Sequence, residues 1–267
     1  GPEPLRELHK FILGTIGAAH GWNKRLLPIE VYDICCKIAD VVVQGGVRRS
    51  ACICLFDGED PAMLKAKTME AMKHNPWRSN ANNSAVYADA DTARDFLGFL
   101  LELAKETGEP GCVTKSTLTG RMAKVLREPK ETIGLNPCAE IILVSNQVWN
   151  LTEVVLRPEV CLEDDMNQVE AAVLLGLIQS TLTNFSLPLL ADLKANTERE
   201  GLLGVSLTGI MDDPVFLESP HALTWLREYA HECALKWSQV LEIPCPKAIT
   251  CVKPSGTVSK LVDCSPG

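Results

Sequence analysis

Apolar residues recur at helical spacing over residues 3–19 and 29–43, which predicts an opening pair of helices. The second stretch follows Leu27-Pro28, and a proline near the first turn favours a helix start. The run Ala51 to Leu55 is short, β-compatible and apolar throughout, which predicts a buried strand. Helical patterns at about 61–73 and 92–106 enclose a strand-like Ala85 to Tyr87.

The second half of the chain alternates in the same way. After the turn signal Gly108 to Gly111, a polar, helix-like stretch leads to a loop at Ile133 to Cys138. The pattern then predicts strands at 141–144, 151–156, 203–208 and 248–252, and helices at 163–183 and 221–240. This alternation predicts an α/β architecture whose parallel strands are covered on both faces. No linker interrupts it, so we expect one domain over 1–267.

Composition narrows the classes of function. With 26 basic and 34 acidic residues the formal charge is −8, which disfavours nucleic acid as a partner. No apolar stretch approaches the roughly 20 residues that span a bilayer, and no signal peptide is recognisable, so we expect a cytoplasmic protein without a membrane partner. The eleven cysteines lack zinc-ligand spacing, and the chain is too long and core-rich for a disulfide scaffold, so free thiols are expected. Neither terminus resembles a natural one, which suggests a fragment incomplete at both ends.

The segment Asn136-Pro137-Cys138-Ala139-Glu140 carries the most informative chemistry. In an extended segment, side chains two residues apart point the same way. An amide, a thiol and a carboxylate would then meet one small substrate as an orienting group, a hydrogen-atom abstractor and a general base. The alternative is a buried cysteine beside a solvated glutamate.

Two further segments suggest anion or base binding. The segment Lys253 to Ser259 follows an apolar strand, and its Ser-Gly-Thr turn offers hydroxyl and N–H groups to a phosphate. The same turn would also serve as a plain N-cap. The glycine-rich segment Gln44 to Ser50 presents one amide and two guanidinium groups, which suit a nucleobase edge or a phosphate. A solvated basic loop is its alternative.

Taken together, these segments resemble the signatures of the cobalamin-dependent, class II ribonucleotide reductases, and they occur in the family's order along nearly the whole chain. The matching segments are Gly1 to Glu7, Gln44 to Ala51, Arg78 to Tyr87, Gly108 to Gly111, Asn136 to Glu140, Asn150 to Val154, Gly204 to Gly209 and Lys253 to Ser259.

The resemblance implies part of a ten-stranded α/β barrel in which Asn136 to Glu140 form a central finger loop. It implies that Cys138 is the thiyl radical that takes the 3′-hydrogen of the ribose, that Glu140 is the base on the 3′-hydroxyl, and that Asn136 holds the ribose. By the same resemblance Ser255, Gly256 and Thr257, with Ser259, bind the substrate phosphates. Gln44 and Arg48 belong to a loop that links an effector nucleotide to the substrate base.

The wording Gly-Gly-Val-Arg-Arg-Ser and Lys-Pro-Ser-Gly-Thr resembles the cobalamin-dependent class rather than the di-metal class. The implied cofactor is therefore adenosylcobalamin, without a protein-bound metal. The implied partners are a ribonucleoside di- or triphosphate substrate, an allosteric deoxynucleotide effector and a thioredoxin-type reductant. The implied role is the supply of deoxyribonucleotides for DNA replication.

One position departs from the family pattern. A reducing cysteine should immediately precede Asn150, and this chain has Trp149 there. Tryptophan cannot donate a reducing thiol, and its bulk would crowd a substrate. Cys52, Cys54 and Cys161 are expected in the core rather than as replacements. The alternative function is therefore a catalytically silent nucleotide-binding relative or one piece of a split reductase, and a purely structural α/β domain is the third hypothesis.

Overall fold

The structure is a computed structural model that describes residues 2–19, 25–43, 50–129, 133–185, 191–213, 216 and 219–266. The chain forms two compact units, one up to Gly120 and the other from Arg121 onwards, and the division falls within a helix. We describe each unit by itself.

The first unit combines helices with a parallel sheet. Its helices are α1 (Glu3–Ala19), α2 (Pro28–Val43), α3 (Pro61–Leu64), α4 (Met69–His74) and α5 (Ala90–Thr107), with a 3-10 turn at Pro76–Asn80, and α6 (Lys115–Lys124) crosses into the second unit. Its strands are β1 (Cys52–Asp57), β2 (Ala81–Tyr87) and β3 (Gly111–Thr114). The strands pair in parallel in the order β1-β2-β3, so each returns through a helical connection.

A buried arginine of the first unit pairs with a carboxylate beside an apolar core. The core includes Tyr32 and Cys36 of α2 and Phe56 of β1. Arg78 donates two hydrogen bonds to the carboxylate of Asp33, at 2.6 and 2.7 Å. Such a two-pronged arginine–carboxylate pair fixes orientation as well as charge.

The second unit contains a hairpin and a small parallel sheet. Its strands are β4 (Ile133–Leu135), β5 (Ile142–Val144), β6 (Asn150–Val155) and β7 (Leu203–Thr208). Its helices are α7 (Leu162–Ser180), α8 (Ala191–Glu200), α9 (Pro220–Val240) and the short α10 (Thr257–Leu261), with a 3-10 turn at Ile210–Asp212. Strands β4 and β5 are antiparallel, and β6 and β7 are parallel.

The sheet of the second unit packs one face in the apolar core, and its other face, which we call the polar face, carries polar residues between Leu151 and Val155. Side chains alternate between the faces of a strand, so Val154, Leu203 and Val205 share a face and pack in the core with residues of α7 and α9. The opposite face carries Glu153 and, from β7, Ser206 beside it in register. The chain then adds the segment around Thr250 alongside β7 through a parallel bridge to Val205.

The α/β class and most predicted elements are confirmed, with specific differences. The helix predicted at 61–73 is two helices, α3 and α4, because Asp60 and Thr68 each cap a new helix start through their side-chain oxygens. The loop predicted at 133–138 begins with strand β4. Residues 248–252 make one bridge rather than a regular strand. Within the described residues the strands form sheets of three, two and two, so a ten-stranded barrel is not seen. The single domain remains a prediction beside the two units.

Candidate active site

The hairpin β4–β5 ends in a compact turn that carries the predicted catalytic triplet. Asn136 closes this turn from both sides: its N–H donates to the carbonyl of Ile141 at 3.2 Å, and its side-chain oxygen accepts from the N–H of Ile141 at 2.8 Å. Ala139 donates its N–H to the Asn136 carbonyl at 2.9 Å and adopts a left-handed φ of 67°. A non-glycine residue in that region costs energy, so surrounding contacts must enforce the turn.

The three predicted residues occupy different environments on this turn. Asn136 is buried, Cys138 is exposed, and Glu140 is half-buried. One carboxylate oxygen of Glu140 is buried and has no hydrogen-bond partner among the described residues. The prediction of an extended segment with three parallel side chains is wrong because the chain turns between Asn136 and Ala139. The turn presents the thiol outward and uses the amide oxygen of Asn136 to hold its own shape.

A buried polar cluster holds the hairpin through hydrogen bonds to strand β5. Arg127, whose side chain is 3% exposed, donates to Glu200 at 2.9 Å, to the carbonyl of Ile142 at 2.8 Å and to the side chain of Gln147 at 3.1 Å. Gln147 in turn donates to Glu200 at 2.7 Å and accepts from the N–H of Val144 at 3.1 Å. We call Arg127, Gln147 and Glu200 the hairpin clamp. It joins strand β5 to the end of α8.

The polar face of the small sheet carries a second buried charge pair. The ammonium of Lys253 lies 3.0 Å from one carboxylate oxygen of Glu153, and the two side chains are 12% and 10% exposed. The backbone N–H of Lys253 also donates to the hydroxyl of Ser206 at 3.0 Å. The other carboxylate oxygen of Glu153 is buried without a partner among the described residues.

Side chains pack closely around Gly204, where the polar face meets the turn formed by Asn136 to Glu140. At Gly204 an added Cβ would lie 2.4 Å from a methyl carbon of Leu151, 3.1 Å from the sulfur of Cys251 and 3.3 Å from a methyl carbon of Ile141. A side chain at position 204 would therefore displace Leu151 and press on Cys251 and on Ile141, the neighbour of Glu140.

The pKa of the Cys251 thiol depends on the charged groups of this region. Burial, and to a smaller extent the carboxylates of Glu140 and Glu153, raise the pKa of Cys251 to about 12, and the ammonium of Lys253 opposes them. The thiol is therefore uncharged at neutral pH, and both carboxylates lie close enough to act on it.

The predicted phosphate segment forms a tight turn into α10. Gly256 has φ 59° and ψ −121°, a conformation that glycine adopts readily. Ser255 is buried and its hydroxyl has no partner among the described residues, whereas the buried Ser259 donates its hydroxyl to the Gly256 carbonyl at 2.7 Å. Thr257 is exposed. Ser255 and Thr257 are thus the hydroxyls available to a ligand, and Ser259 holds the turn.

The structure thus brings together the Asn136–Glu140 turn, the polar face and the start of the predicted phosphate segment. Gln44 and Arg48, predicted as base and effector contacts, lie outside the described residues. Cys52 and Cys54 pack against the core of the first unit as expected, but Cys161 is an exposed helix cap rather than a core residue.

Several residues around the site were missed from the sequence. Glu153 could have been noticed because a carboxylate interrupts an otherwise weakly polar strand and needs a partner there. Arg127 and Glu200 gave no such signal because they are 73 positions apart and each resembles an ordinary surface charge.

All eleven cysteines are free thiols, as expected. Among the described residues no group of three or more histidine, cysteine or acidic side chains is arranged to hold a metal ion. Within the same part of the chain, no helix has the length and apolar character needed to cross a membrane.

Comparison with curated proteins finds relatives over the whole chain. An adenosylcobalamin-dependent ribonucleoside-triphosphate reductase from Lacticaseibacillus paracasei is 28% identical over 302 aligned residues, which cover 100% of this chain and 39% of the relative. The enzyme of the same name from Lactobacillus acidophilus is 31% identical over 79% of this chain and 28% of the relative. The one from Euglena gracilis is 29% identical over 100% of this chain and 36% of the relative. The chain therefore spans well under half of these relatives. No family model matches it.

Comparison with solved structures supports the fold. A crystal structure of a B12-dependent, class II ribonucleotide reductase superposes with a TM-score of 0.71 at 22% identity, covering 100% of this chain and 40% of that one. The α subunit of a class Id ribonucleotide reductase from Actinobacillus ureae gives a TM-score of 0.61 at 14% identity, covering 99% of this chain and 59% of that one. Because both classes share the fold, the fold does not decide between them.

Proposed function

We propose that this chain, a homologue of the adenosylcobalamin-dependent ribonucleoside-triphosphate reductases over its whole length, is part of the catalytic region of such an enzyme. The reaction is the reduction of a ribonucleoside triphosphate to the 2′-deoxyribonucleotide. The observation that carries the proposal is the exposed Cys138 thiol on a constrained turn, two residues before a carboxylate with an unpartnered buried oxygen.

The roles of the turn residues follow from where they lie. Cys138, as a thiyl radical, takes the 3′-hydrogen of the ribose, for which an exposed sulfur on a rigid turn is suited. Glu140 takes the proton of the 3′-hydroxyl through its unpartnered oxygen. Asn136 supports both, since its side-chain oxygen already fixes the turn through the Ile141 N–H. Ser255 and Thr257 bind phosphate oxygens, and Gly256 lets the backbone approach them.

The proposed cofactor is adenosylcobalamin, which the names of the sequence relatives indicate. When bound, it supplies the radical that removes a hydrogen atom from a thiol. The Cys138 sulfur of this chain fits such chemistry because it is exposed and therefore accessible to a bound cofactor. We assign no residue of this chain to holding the corrin.

The remaining partners are proposed on the same basis. The substrate is a triphosphate, as in the names of the relatives. A deoxynucleotide effector would act through the segment that contains Gln44 and Arg48, and a thioredoxin-type protein would restore reducing thiols. Eleven free thiols favour the cytoplasm as the compartment of the protein.

The experiment replaces Cys138 by serine in the full-length protein supplied with a ribonucleoside triphosphate, adenosylcobalamin and dithiothreitol. We expect the wild type to show a nucleotide-dependent radical signal in electron paramagnetic resonance and the Cys138→Ser variant to show no such signal and no product. Cys245→Ser is the matched control, because Cys245 is an exposed free thiol of the same unit and should be dispensable. A wild-type signal that survives in Cys138→Ser would contradict the proposal.

A second function is favoured by Trp149, the half-buried residue directly before β6. If no other thiol replaces the expected cysteine, the chain binds nucleotide and forms the radical but does not reduce the ribose. Trp149→Cys should then create or raise deoxynucleotide formation with dithiothreitol. A wild type that binds the triphosphate without any radical signal would favour the catalytically silent relative instead.

A further inference from the structure

The proposed mechanism leaves unused the buried carboxylate of Glu153. This side chain is 10% exposed and lies in the middle of strand β6, on the face opposite the apolar core. One of its oxygens pairs with the ammonium of Lys253 at 3.0 Å, and the other is buried with no partner among the described residues. Burying a carboxylate oxygen without a donor is costly, so such a group calls for a ligand or another explanation.

The surroundings of Glu153 favour a ligand at the proposed site. The phosphate turn begins at Ser255, two residues after Lys253, and the N–H of Lys253 donates to the Ser206 hydroxyl. On the other side, Glu140 also has a buried oxygen without a described partner. At Gly204 of β7, the side chain of Ile141, the neighbour of Glu140, and the sulfur of Cys251 approach the strand beside Glu153. The two acids therefore lie around one small region, and the charges of both act on the Cys251 thiol.

The ligand chemistry follows from the two open acceptors. Two carboxylate oxygens without donors suit a ligand with two neighbouring hydroxyl groups, and a ribose offers this pair at its 2′ and 3′ positions. Hydrogen bonds from hydroxyls to ionised acceptors are short and strong. The Cys251 thiol, uncharged beside them, adds no third negative charge.

We propose that Glu153 is a further substrate-binding residue, whose free oxygen accepts a hydrogen bond from the 2′-hydroxyl while Glu140 accepts one from the 3′-hydroxyl. Lys253 holds the other oxygen of Glu153 and so orients the carboxylate. The inference rests on the proposed function, because that function assigns the 3′-hydroxyl to Glu140.

The test measures binding of CTP, 2′-deoxy-CTP and 3′-deoxy-CTP to the full-length protein by titration calorimetry. Glu153→Gln should weaken CTP binding by about tenfold or more, the range of one charge-assisted hydrogen bond, and leave 2′-deoxy-CTP within twofold of its wild-type affinity. The matched control is Glu159→Gln, an exposed glutamate that follows the same strand. It should leave the affinities for all three nucleotides unchanged.

A second variant guards against a folding defect from the broken ion pair. Glu153→Gln combined with Lys253→Gln removes both buried charges and leaves two amides that can pair with each other. In this double variant the ratio of the affinity for CTP to that for 2′-deoxy-CTP should fall as in the single variant, even if the loss of Lys253 weakens the binding of both nucleotides.

The outcomes separate this inference from the proposed function. An unchanged affinity ratio in both variants, or an equal loss for CTP and 2′-deoxy-CTP, overturns the role of Glu153 and marks the pair as structural. If the wild type also shows the Cys138-dependent radical, the proposed function stands and only the inference fails. A wild type that binds none of the three nucleotides overturns both.

Discussion

The second unit contains two buried polar clusters that are built differently. In the hairpin clamp, the charged groups of Arg127 and Glu200 meet each other, Gln147 and the backbone of β5. At the polar face and the neighbouring turn, Glu153 and Glu140 each keep one buried oxygen without a described partner. A saturated cluster can stabilise the fold by itself, whereas an unsaturated one gains its missing donors only from something that binds. The difference suggests which cluster serves the architecture and which serves the ligand.

Removing the central cation of the clamp should have the largest effect. In Arg127→Ala, Glu200 would lose its buried counter-charge and keep only the exposed Arg199 at 3.9 Å, and the carbonyl of Ile142 would lose its donor. We expect the free energy of unfolding to fall by about 3–5 kcal/mol, measured by urea denaturation of the full-length protein.

The control for the clamp is Arg94→Ala. Arg94 is an exposed arginine paired with Asp91 at 2.8 Å, and its loss should change stability by less than about 0.5 kcal/mol. Similar losses in the two variants would show that the clamp is no more than a surface ion pair.

Asp165 of α7 also has a buried oxygen without a described partner, and the residue is 2% exposed. It is not part of the candidate site, so an unpartnered buried oxygen does not by itself indicate a ligand. Burial, with the charges of Asp213 and Asp164, raises the pKa of Asp165 to about 6. Below about pH 6 this buried carboxyl takes up a proton, so its burial does not require a ligand.

The raised pKa of Asp165 should make the stability of the protein depend on pH. The unfolded chain releases the Asp165 proton near pH 3.8, whereas the folded chain keeps it to about 6. The folded state therefore loses about 2–3 kcal/mol of stability as pH rises between these values. Asp165→Asn cannot ionise, so its unfolding free energy should lack this decline and exceed that of the wild type at pH 7.5. Parallel stability–pH curves for the two proteins would contradict the prediction.

The two serines of the phosphate segment should show the smallest contrast. Ser259→Ala removes a hydroxyl that donates to Gly256 at 2.7 Å and should cost about 1 kcal/mol in the absence of ligand. Ser255→Ala removes an unpartnered buried hydroxyl and should leave stability unchanged or slightly raised, while weakening CTP binding. Thermal denaturation with and without CTP measures both, and a stability loss for Ser255→Ala as large as for Ser259→Ala would remove the contrast.

Sequence patterns predicted elements well where periodicity was long and regular. The helices at 163–183 and 221–240 are α7 and α9, because apolar residues at helical spacing over many turns have few alternative structures. The helix α8 was missed, since it is polar and its few buried contacts, such as Thr197, leave no apolar stripe.

The candidate site was predictable in its residue types but not in its geometry. The motif Asn136 to Glu140 identified a thiol, an amide and an acid, yet their arrangement depends on a left-handed Ala139 and on hydrogen bonds to Ile141. Glu153 lay within a recognised segment without an assigned role. Its partner Lys253 comes from a segment about a hundred residues later, which the sequence does not pair with it.

The clamp also bears on the order in which the protein acquires its structure. Arg127 and Glu200 are separated by 73 positions, so the clamp that holds hairpin β4–β5 is a contact of long sequence separation. Such contacts require a large loop to close first, and they form late compared with helices and hairpins. During synthesis the Asn136–Glu140 turn would leave the ribosome well before α8. Hairpin β4–β5, with the Cys138 thiol, would therefore lack its contact with Glu200 until α8 had been synthesised.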